Sequence, residues 1–365
     1  MQAQQLFMEI AEIKTSAIQL LQKLISIPSF SKEEDKTGDY LEEWLQVRGV
    51  KTHRYKNNIW AYNAHFDKNK PTILLNSHHD TVKPAKAYTK DPFHAVLEDG
   101  KLFGLGSNDA GGPLVSLIAT FIYFHDKKDL PYNVALAASA EEEISGKDGI
   151  ECIVELIGNI DCAVVGEPTK MQMAIAERGL MVLDCIAHGK AGHAARQEGE
   201  NAIYKAIKDI EWIKNHEFEK TSDLLGPVKM TVTVIETENK AHNVVPASCQ
   251  FVVDVRLNEF YSFEDAVKVL SDNIQSEVKP RSMRLRSSII PVEHPLVQAG
   301  ISLGRTYYGS PTTSDKALMP FPALKMGPGD SARSHTADEY IYVSEIEEGI
   351  ELYIQLLEKL FSTAS

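Results

Sequence analysis

The stretch TILLNSHHD (72–80) is an apolar run of strand length that ends in two histidines and an aspartate. The same design recurs twice further on. VALAASA (134–140) runs into Glu141-Glu142-Glu143, and DCAVVG (161–166) runs into Glu167. A long apolar helix from about Gly112 to His125 and a helical GIECIVELIG (149–158) separate these runs. Strands alternating with helices imply an α/β fold with a largely parallel sheet, and such sheets place their sites where strands end. Upstream, Ser31-Lys-Glu-Glu34 reads as a capping box opening a helix through Tyr40, Leu41 and Trp44 that stops at Gly49. Residues 51–55 and 59–64 read as further strands.

From Leu180 the pattern changes. LMVLDCIAH is a strand, NAIYKAIKDIEWIKN a helix, KMTVTVIET and CQFVVDVRL strands, FEDAVKVLSDNIQSEV a helix and SMRLRSS a strand. That order is the split β-α-β-β-α-β unit, a compact ferredoxin-like domain. After Pro291 the helix–strand alternation resumes and closes with SEIEEGIELYIQLLEKLF. The expected organisation is one α/β domain (1–178 and 291–365) interrupted by an inserted α+β domain (179–290), with crossings at the turn signals Arg178-Gly179 and Ile290-Pro291.

Composition narrows the function classes. The 365 residues are 43% hydrophobic and 24% charged, ordinary for a globular protein, and exceed the usual size of one core. A formal net charge of −13 argues against a phosphate-backbone partner. No apolar run approaches the roughly 18 residues of a membrane span. The amphipathic start, broken by Glu9, Glu12 and Lys14, reads as a first helix and not a signal peptide. Cys152, Cys162, Cys185 and Cys249 have no C-x-x-C spacing, as expected of buried thiols in a reducing, cytoplasmic setting.

Taken singly, the ligand-type residues have bland readings: a solvated loop for His78-His79-Asp80, a helix start for the glutamate triplet, a turn or N-cap for Asp109 in GLGSNDAGG. Their recurrence at consecutive sheet ends points to one site. Imidazole and carboxylate ligands without thiolate suit Zn²⁺ in an open, catalytic centre, and two histidines with three carboxylates suffice for two ions. H-E-x-x-H, G-x-S-x-G and the Walker-type phosphate loop are all missing, which leaves metal-assisted hydrolysis as the fitting chemistry. The triplet by itself leaves open whether Glu141 or Glu142 is the base.

Together, His78-x-Asp80, GLGSNDAGG with Asp109, Glu142-Glu143, GEPT with Glu167, HGKAGHA with His193 and GPG…H…DEY with His335 resemble the dinuclear-zinc deacylase and peptidase family that includes acetylornithine deacetylase and succinyl-diaminopimelate desuccinylase. The resemblance implies two Zn²⁺ per subunit, with Co²⁺ or Mn²⁺ as substitutes. His78 and Glu167 would hold one ion, Glu143 and His335 the other, and Asp109 would bridge them through a segment whose Asp109-Ala110 peptide is cis. Asp80 would hold the His78 ring, leaving His79 as the variable position, and Glu142 would be general base and then acid. His193 would reach the site from the inserted domain of a partner subunit, making the protein a homodimer with that domain as interface and lid. Arg178, Asn243 and Arg256 match positions near a substrate carboxylate, although Arg256 reads equally well as a structural ion-pair residue. Gly327 and Thr313-Ser314-Asp315 match segments beside the pocket.

The GPG-x5-H-x2-DEY ending looks closest to acetylornithine deacetylase. The expected substrate is therefore N-acetylornithine or an analogue such as an N-acyl-citrulline, in arginine biosynthesis. The alternatives are succinyl-diaminopimelate desuccinylase or a dipeptidase or aminopeptidase of the same family, and, in another class, a non-catalytic metal-binding homologue.

Overall fold

The computed structural model describes residues 2–196 and 198–363. They fall into two compact units: Met1–Ile175 with Ile290–Tyr308 and Ser314–Ser365, and Ala176–Ile289 with Gly309–Thr313. No pattern in the sequence marks the return segment 309–313 as belonging with the second unit.

The first unit is built on a mixed sheet in the order Thr52–Tyr55, Asn58–Tyr62, Asn133–Ser139, Thr72–His78, Cys162–Val165, Ala323–Lys325, followed by the start of Met173–Glu177. The four strands from Asn133–Ser139 to Ala323–Lys325 run parallel, and the flanking pairs are antiparallel. Every residue of Thr72–His78 and of Asn133–Ser139 is buried, which explains their near-continuous apolar sequence where a half-exposed strand would alternate. The helix Gly112–His125 has Pro113 in its first turn and is buried on nearly every side, so it shows no polar face. It packs against the N-terminal helix Gln2–Ile25, the C-terminal helix Val343–Thr363 and the strand Thr72–His78. A separate antiparallel sheet joins Val96–Glu98, Lys101–Phe103 and Tyr340–Tyr342.

The second unit is the expected β-α-β-β-α-β arrangement, its antiparallel sheet ordered Lys229–Glu236, Ser248–Leu257, Gly179–His188, Glu277–Pro280. Gly179–His188 alternates buried and half-buried residues, the period-2 signature of a sheet with one covered face. Met181, Leu183 and Cys185 meet Phe251, Val253 and Val255 and the helix residues Ala206, Phe263 and Leu270 in one core. Asn201 caps the helix Ala202–Asn215, and a Ser262–Asp265 capping box opens Phe263–Asn273.

Two local expectations are corrected. The last strand of this four-stranded sheet is Glu277–Pro280, not SMRLRSS, because the preceding helix ends early at Asn273. The Asp209 carboxylate accepts from the Gln275 and Ser276 amides, 3.1 and 2.9 Å away, and draws the chain out of the helix. The second helix of the first unit spans Asp35–Gln46 with Glu34 as its N-cap residue, so Ser31 opens no capping box. Ser31 instead donates its hydroxyl to Asp80, at 2.7 Å.

Among the described residues no helix is long and apolar enough to cross a membrane. Cys162, Cys185 and Cys249 are buried, Cys152 is half-buried, and all four are free thiols.

Candidate metal centre

The parallel pairing brings the three strand ends together. His78 lies opposite Ser139, and Asn76 opposite Val165, so His78, Glu141-Glu142-Glu143 and Glu167 emerge along one edge of adjacent strands. Asp109 reaches the same edge from the irregular turn Ser107–Gly111, whose Asp109-Ala110 peptide is cis. His335 comes from the loop after Ser331–Arg333, with φ at +58°.

Two groups of ligand-type atoms result: His78, Asp109 and Glu167, and Asp109, Glu143 and His335, the atoms within each lying no more than 4.8 Å apart. Asp109 belongs to both. Its Oδ1 is 3.3 Å from His78 Nε2 and its Oδ2 is 3.7 Å from His335 Nε2. His335 Nε2 also lies 2.9 Å from Glu143 Oε2, and His78 Nε2 lies 3.9 Å from both Glu167 Oε1 and Glu142 Oε2. The His78 side chain is 1% exposed and that of His335 55%, so the pair opens from the interior to the surface.

Asp80 does more than hold a ring. Its Oδ1 lies 3.3 Å from His78 Nδ1 and accepts from the Glu142 amide at 3.1 Å, while its Oδ2 accepts from Ser31 Oγ and from the Glu143 amide at 3.2 Å. With Nδ1 turned to Asp80, including its carbonyl at 3.0 Å, Nε2 is the nitrogen that faces the cluster. His79 points away. Its Nε2 is 2.8 Å from the Asn57 carbonyl and its Nδ1 2.9 Å from Thr37 Oγ1, so the second histidine of the doublet ties the strand end to its surroundings.

The triplet has one register. Glu142 and Glu143 face the cluster, whereas the charged neighbours of Glu141 are Asp148, Glu34 and Lys32. The Glu141 amide donates to the fully buried Glu34, whose carboxylate also takes the Lys32 amide and the Asn57 side chain.

The electrostatics follow from so many acids in a dry place. Burial, then the charges of Glu167, Asp315 and Glu143, push the Glu142 carboxyl well above its ordinary range in spite of His78. Burial alone would strip the His78 ring of its proton, yet bonds to Asp109 and Asp80 and the charge of Glu142 hold it well above the usual imidazole range. Burial opposes the charged form of Asp80 and Asp109 too, and their contacts with His78 outweigh it and draw both below the usual carboxylate range. His335 is raised to about 9, chiefly by its hydrogen bond to Glu143. Asp315, taking Ser139 Oγ at 2.5 Å and Asn76 Nδ2 at 2.9 Å, is pushed by burial to about 6.

Gly327 sits where a Cβ would come 2.5 Å from the Glu167 carbonyl oxygen, so only glycine allows that approach. The remaining candidates belong to the second unit. His193 is exposed and pairs with Val244 in a two-stranded ribbon, its Nδ1 accepting from the Ala195 amide at 3.1 Å. Asn243 adjoins it, its carbonyl taking the Ala194 amide at 2.9 Å. Arg178 donates to the Leu225 carbonyl. Arg256 forms a two-pronged pair with Asp254 on its own strand, at 2.8 and 3.1 Å. No pattern in the sequence marks Ser31, Glu34 or Glu339 as site residues; the clearest signal it carries is the DEY that follows His335.

Comparison with known proteins gives the arrangement a context. The sequence profile of peptidase family M20/M25/M40 matches residues 74–359. Succinyl-diaminopimelate desuccinylase of Wolbachia pipientis subsp. Culex pipiens is 25% identical over 76% of this chain and 73% of that protein. The enzyme of the same name from Cereibacter sphaeroides is 25% identical over 94% and 99%. Among solved structures, aminopeptidase PepT from Bacillus cereus superposes with a TM-score of 0.76 at 18% identity, covering 95% of this chain and 98% of that one. A dinuclear metal binding peptidase from Bacillus subtilis superposes at 0.71 and 14% identity, covering 97% and 99%.

Proposed function

The chain belongs to peptidase family M20/M25/M40, and from that premise we propose that it hydrolyses the amide bond of an N-acyl amino acid, with N-succinyl-diaminopimelate the first substrate to try. It is a metallohydrolase of that family with a candidate ligand cluster in place. The two curated relatives described above carry the desuccinylase name. That name supports the alternative better than N-acetylornithine, an N-acyl-citrulline or a place in arginine biosynthesis, so the narrower expectation gives way to it.

One observation carries the reading: Asp109 turns one oxygen toward each ligand group. The donor set fits a pair of divalent cations, being all imidazole and carboxylate, with the His78 nitrogen that faces inward fixed by Asp80. His78 and Glu167 would hold one ion, Glu143 and His335 the other, and Asp109 both. Zn²⁺ is the first candidate, with Co²⁺ or Mn²⁺ also suited to such ligands. A cation pair bound there would supply polarisation of a carbonyl and easier removal of a proton from water.

The protein groups then do the following. Glu142, half-buried and with a raised proton affinity, takes the proton of the attacking water at its carboxylate and returns it to the leaving amine nitrogen. Asp80 fixes the base and a neighbouring ligand together through the Glu142 and Glu143 amides. His193 would stabilise the developing oxyanion from a partner subunit, with Arg178 and Asn243 as candidates for the substrate carboxylate. Arg256, already paired with Asp254, is the weaker candidate for it. A homodimer is supported by exposed apolar side chains of the second unit, Tyr204 and Ile207 on its first helix and Val234 and Ile235 on its edge strand.

The deciding experiment incubates zinc-loaded protein with N-succinyl-diaminopimelate, N-acetylornithine, an N-acyl-citrulline and a set of di- and tripeptides, and identifies products by mass. Release of succinate is the expected result; turnover of the peptides alone would overturn the deacylase reading. Mixed dimers of His193→Ala and Glu142→Ala chains should regain part of the activity, and full inactivity would overturn the role in trans.

A further inference from the structure

Glu339 immediately precedes the strand Tyr340–Tyr342, which pairs with Lys101–Phe103, and it is 2% exposed. Its Oε1 accepts from the Asn108 and Asp109 amides, both at 2.8 Å, and its Oε2 accepts from the Gly106 amide at 3.0 Å. Its own carbonyl takes the Gly104 amide at 3.0 Å. The Asn108 and Asp109 amides of the turn that presents Asp109, with those of Gly104 and Gly106 just before it, therefore converge on a single residue. Gly106 can join them because its φ of +73° is open to glycine, and a Cβ there would meet Thr81 at 2.5 Å.

A second tie runs beside the first. The Asn108 side chain donates to the Asp330 carbonyl at 3.0 Å and accepts from the Asp330 amide at 3.0 Å. His335 lies between the two ties, four residues before Glu339. The turn carrying Asp109 and the loop carrying His335 are thus pinned to one another on both sides of the histidine.

We propose that Glu339 is a positioning residue: its carboxylate fixes the peptide preceding Asp109 so that the two oxygens of that side chain face His78 and His335. The proposal rests on the two-cation reading above. Each oxygen of this side chain serves as an acceptor to the amides. Glutamine has one acceptor oxygen, so whichever way its amide is turned, an N–H group confronts another N–H group. An N–H group at the Oε1 position releases the Asn108 and Asp109 amides, and one at Oε2 displaces Gly106 three residues before Asp109, so either orientation disturbs the split between the Asp109 oxygens. Outer carboxylates that orient ligands in this way are worth about 10- to 100-fold in metal affinity.

The test is a zinc competition titration on wild type, Glu339→Gln and Glu339→Asp, with metal content per chain and a circular dichroism melt on each sample. The proposal expects folded Glu339→Gln to bind at least one of the two ions roughly 10- to 100-fold more weakly. A role limited to holding the fold would lower the melting temperature and leave two ions bound with unchanged affinity, and that result overturns the proposal. If Glu339→Gln is recovered unfolded, Glu339→Asp is judged by the same criterion; it keeps the charge but is one methylene short of the amides. Wild type that binds fewer than two ions would refute the two-cation reading itself, an outcome visible before any variant is compared.

Discussion

Replacing Asp80 by asparagine perturbs the cluster at its most connected point. The two carboxylate oxygens divide their donors evenly: Oδ1 serves the Glu142 amide and the His78 ring, Oδ2 serves Ser31 and the Glu143 amide. An asparagine amide turned either way places its NH₂ against one of these sets. Two buried donors lose their acceptor, at about 1–3 kcal/mol each, for a total of roughly 2–6 kcal/mol. The His78 ring also loses its orienting charge, which should weaken metal binding by about 10- to 100-fold. Urea denaturation of the chelator-treated proteins measures the first quantity and zinc competition the second. Because the folded protein holds Asp80 below its ordinary 3.8, its contribution is complete above that value and is lost as pH falls through the lower, folded value. The stability gap between wild type and Asp80→Asn should therefore narrow in acid. A gap at pH 7 below about 0.5 kcal/mol, the scatter of ordinary surface substitutions, or one that widens toward acid, would refute this account of Asp80.

The neighbouring histidines should separate cleanly: His79→Gln is expected to cost about 1–3 kcal/mol through its two buried contacts, with both ions retained, whereas His78→Ala should lose an ion, as elemental analysis of purified protein would reveal. Glu142→Gln should lower kcat by roughly 10²- to 10⁴-fold with metal content unchanged; a rate within a few-fold of wild type would remove Glu142 as base. His335, raised to about 9 by Glu143, must lose its proton to become a ligand, so zinc affinity should climb with pH toward that value, and isothermal titration in buffers of differing ionisation heat should register a released proton. The same shift adds stability to the chelated protein below pH 6.5, and that contribution fades as pH rises through about 9.

What the sequence made legible was the part governed by local pattern. Apolar runs ending in acids or histidines marked the edge where His78, the glutamate pair and Glu167 meet, because parallel pairing carries every strand end to one side. The second unit was equally plain, since its alternating strands record a single covered face. What depends on distant partners was hidden. Ser31-Lys-Glu-Glu34 has the spelling of a capping box, but the hydroxyl is claimed by Asp80, far along the chain. The strand Glu277–Pro280 looked like a helix end until Asp209 terminated that helix from outside. The register of three consecutive glutamates is set by Glu34 and Asp80, and neither relation has a spacing to read. Glu339 follows an aspartate in a surface-like DEY, and only the fold reveals that it is buried against the Asp109 turn.

Anomalous diffraction at the zinc edge from crystals of the zinc-loaded protein tests the central claim most directly. The account predicts two peaks in each chain, one bound by His78 and Glu167, the other by Glu143 and His335, with an Asp109 oxygen on each. A single peak, or two peaks that do not share Asp109, would contradict it.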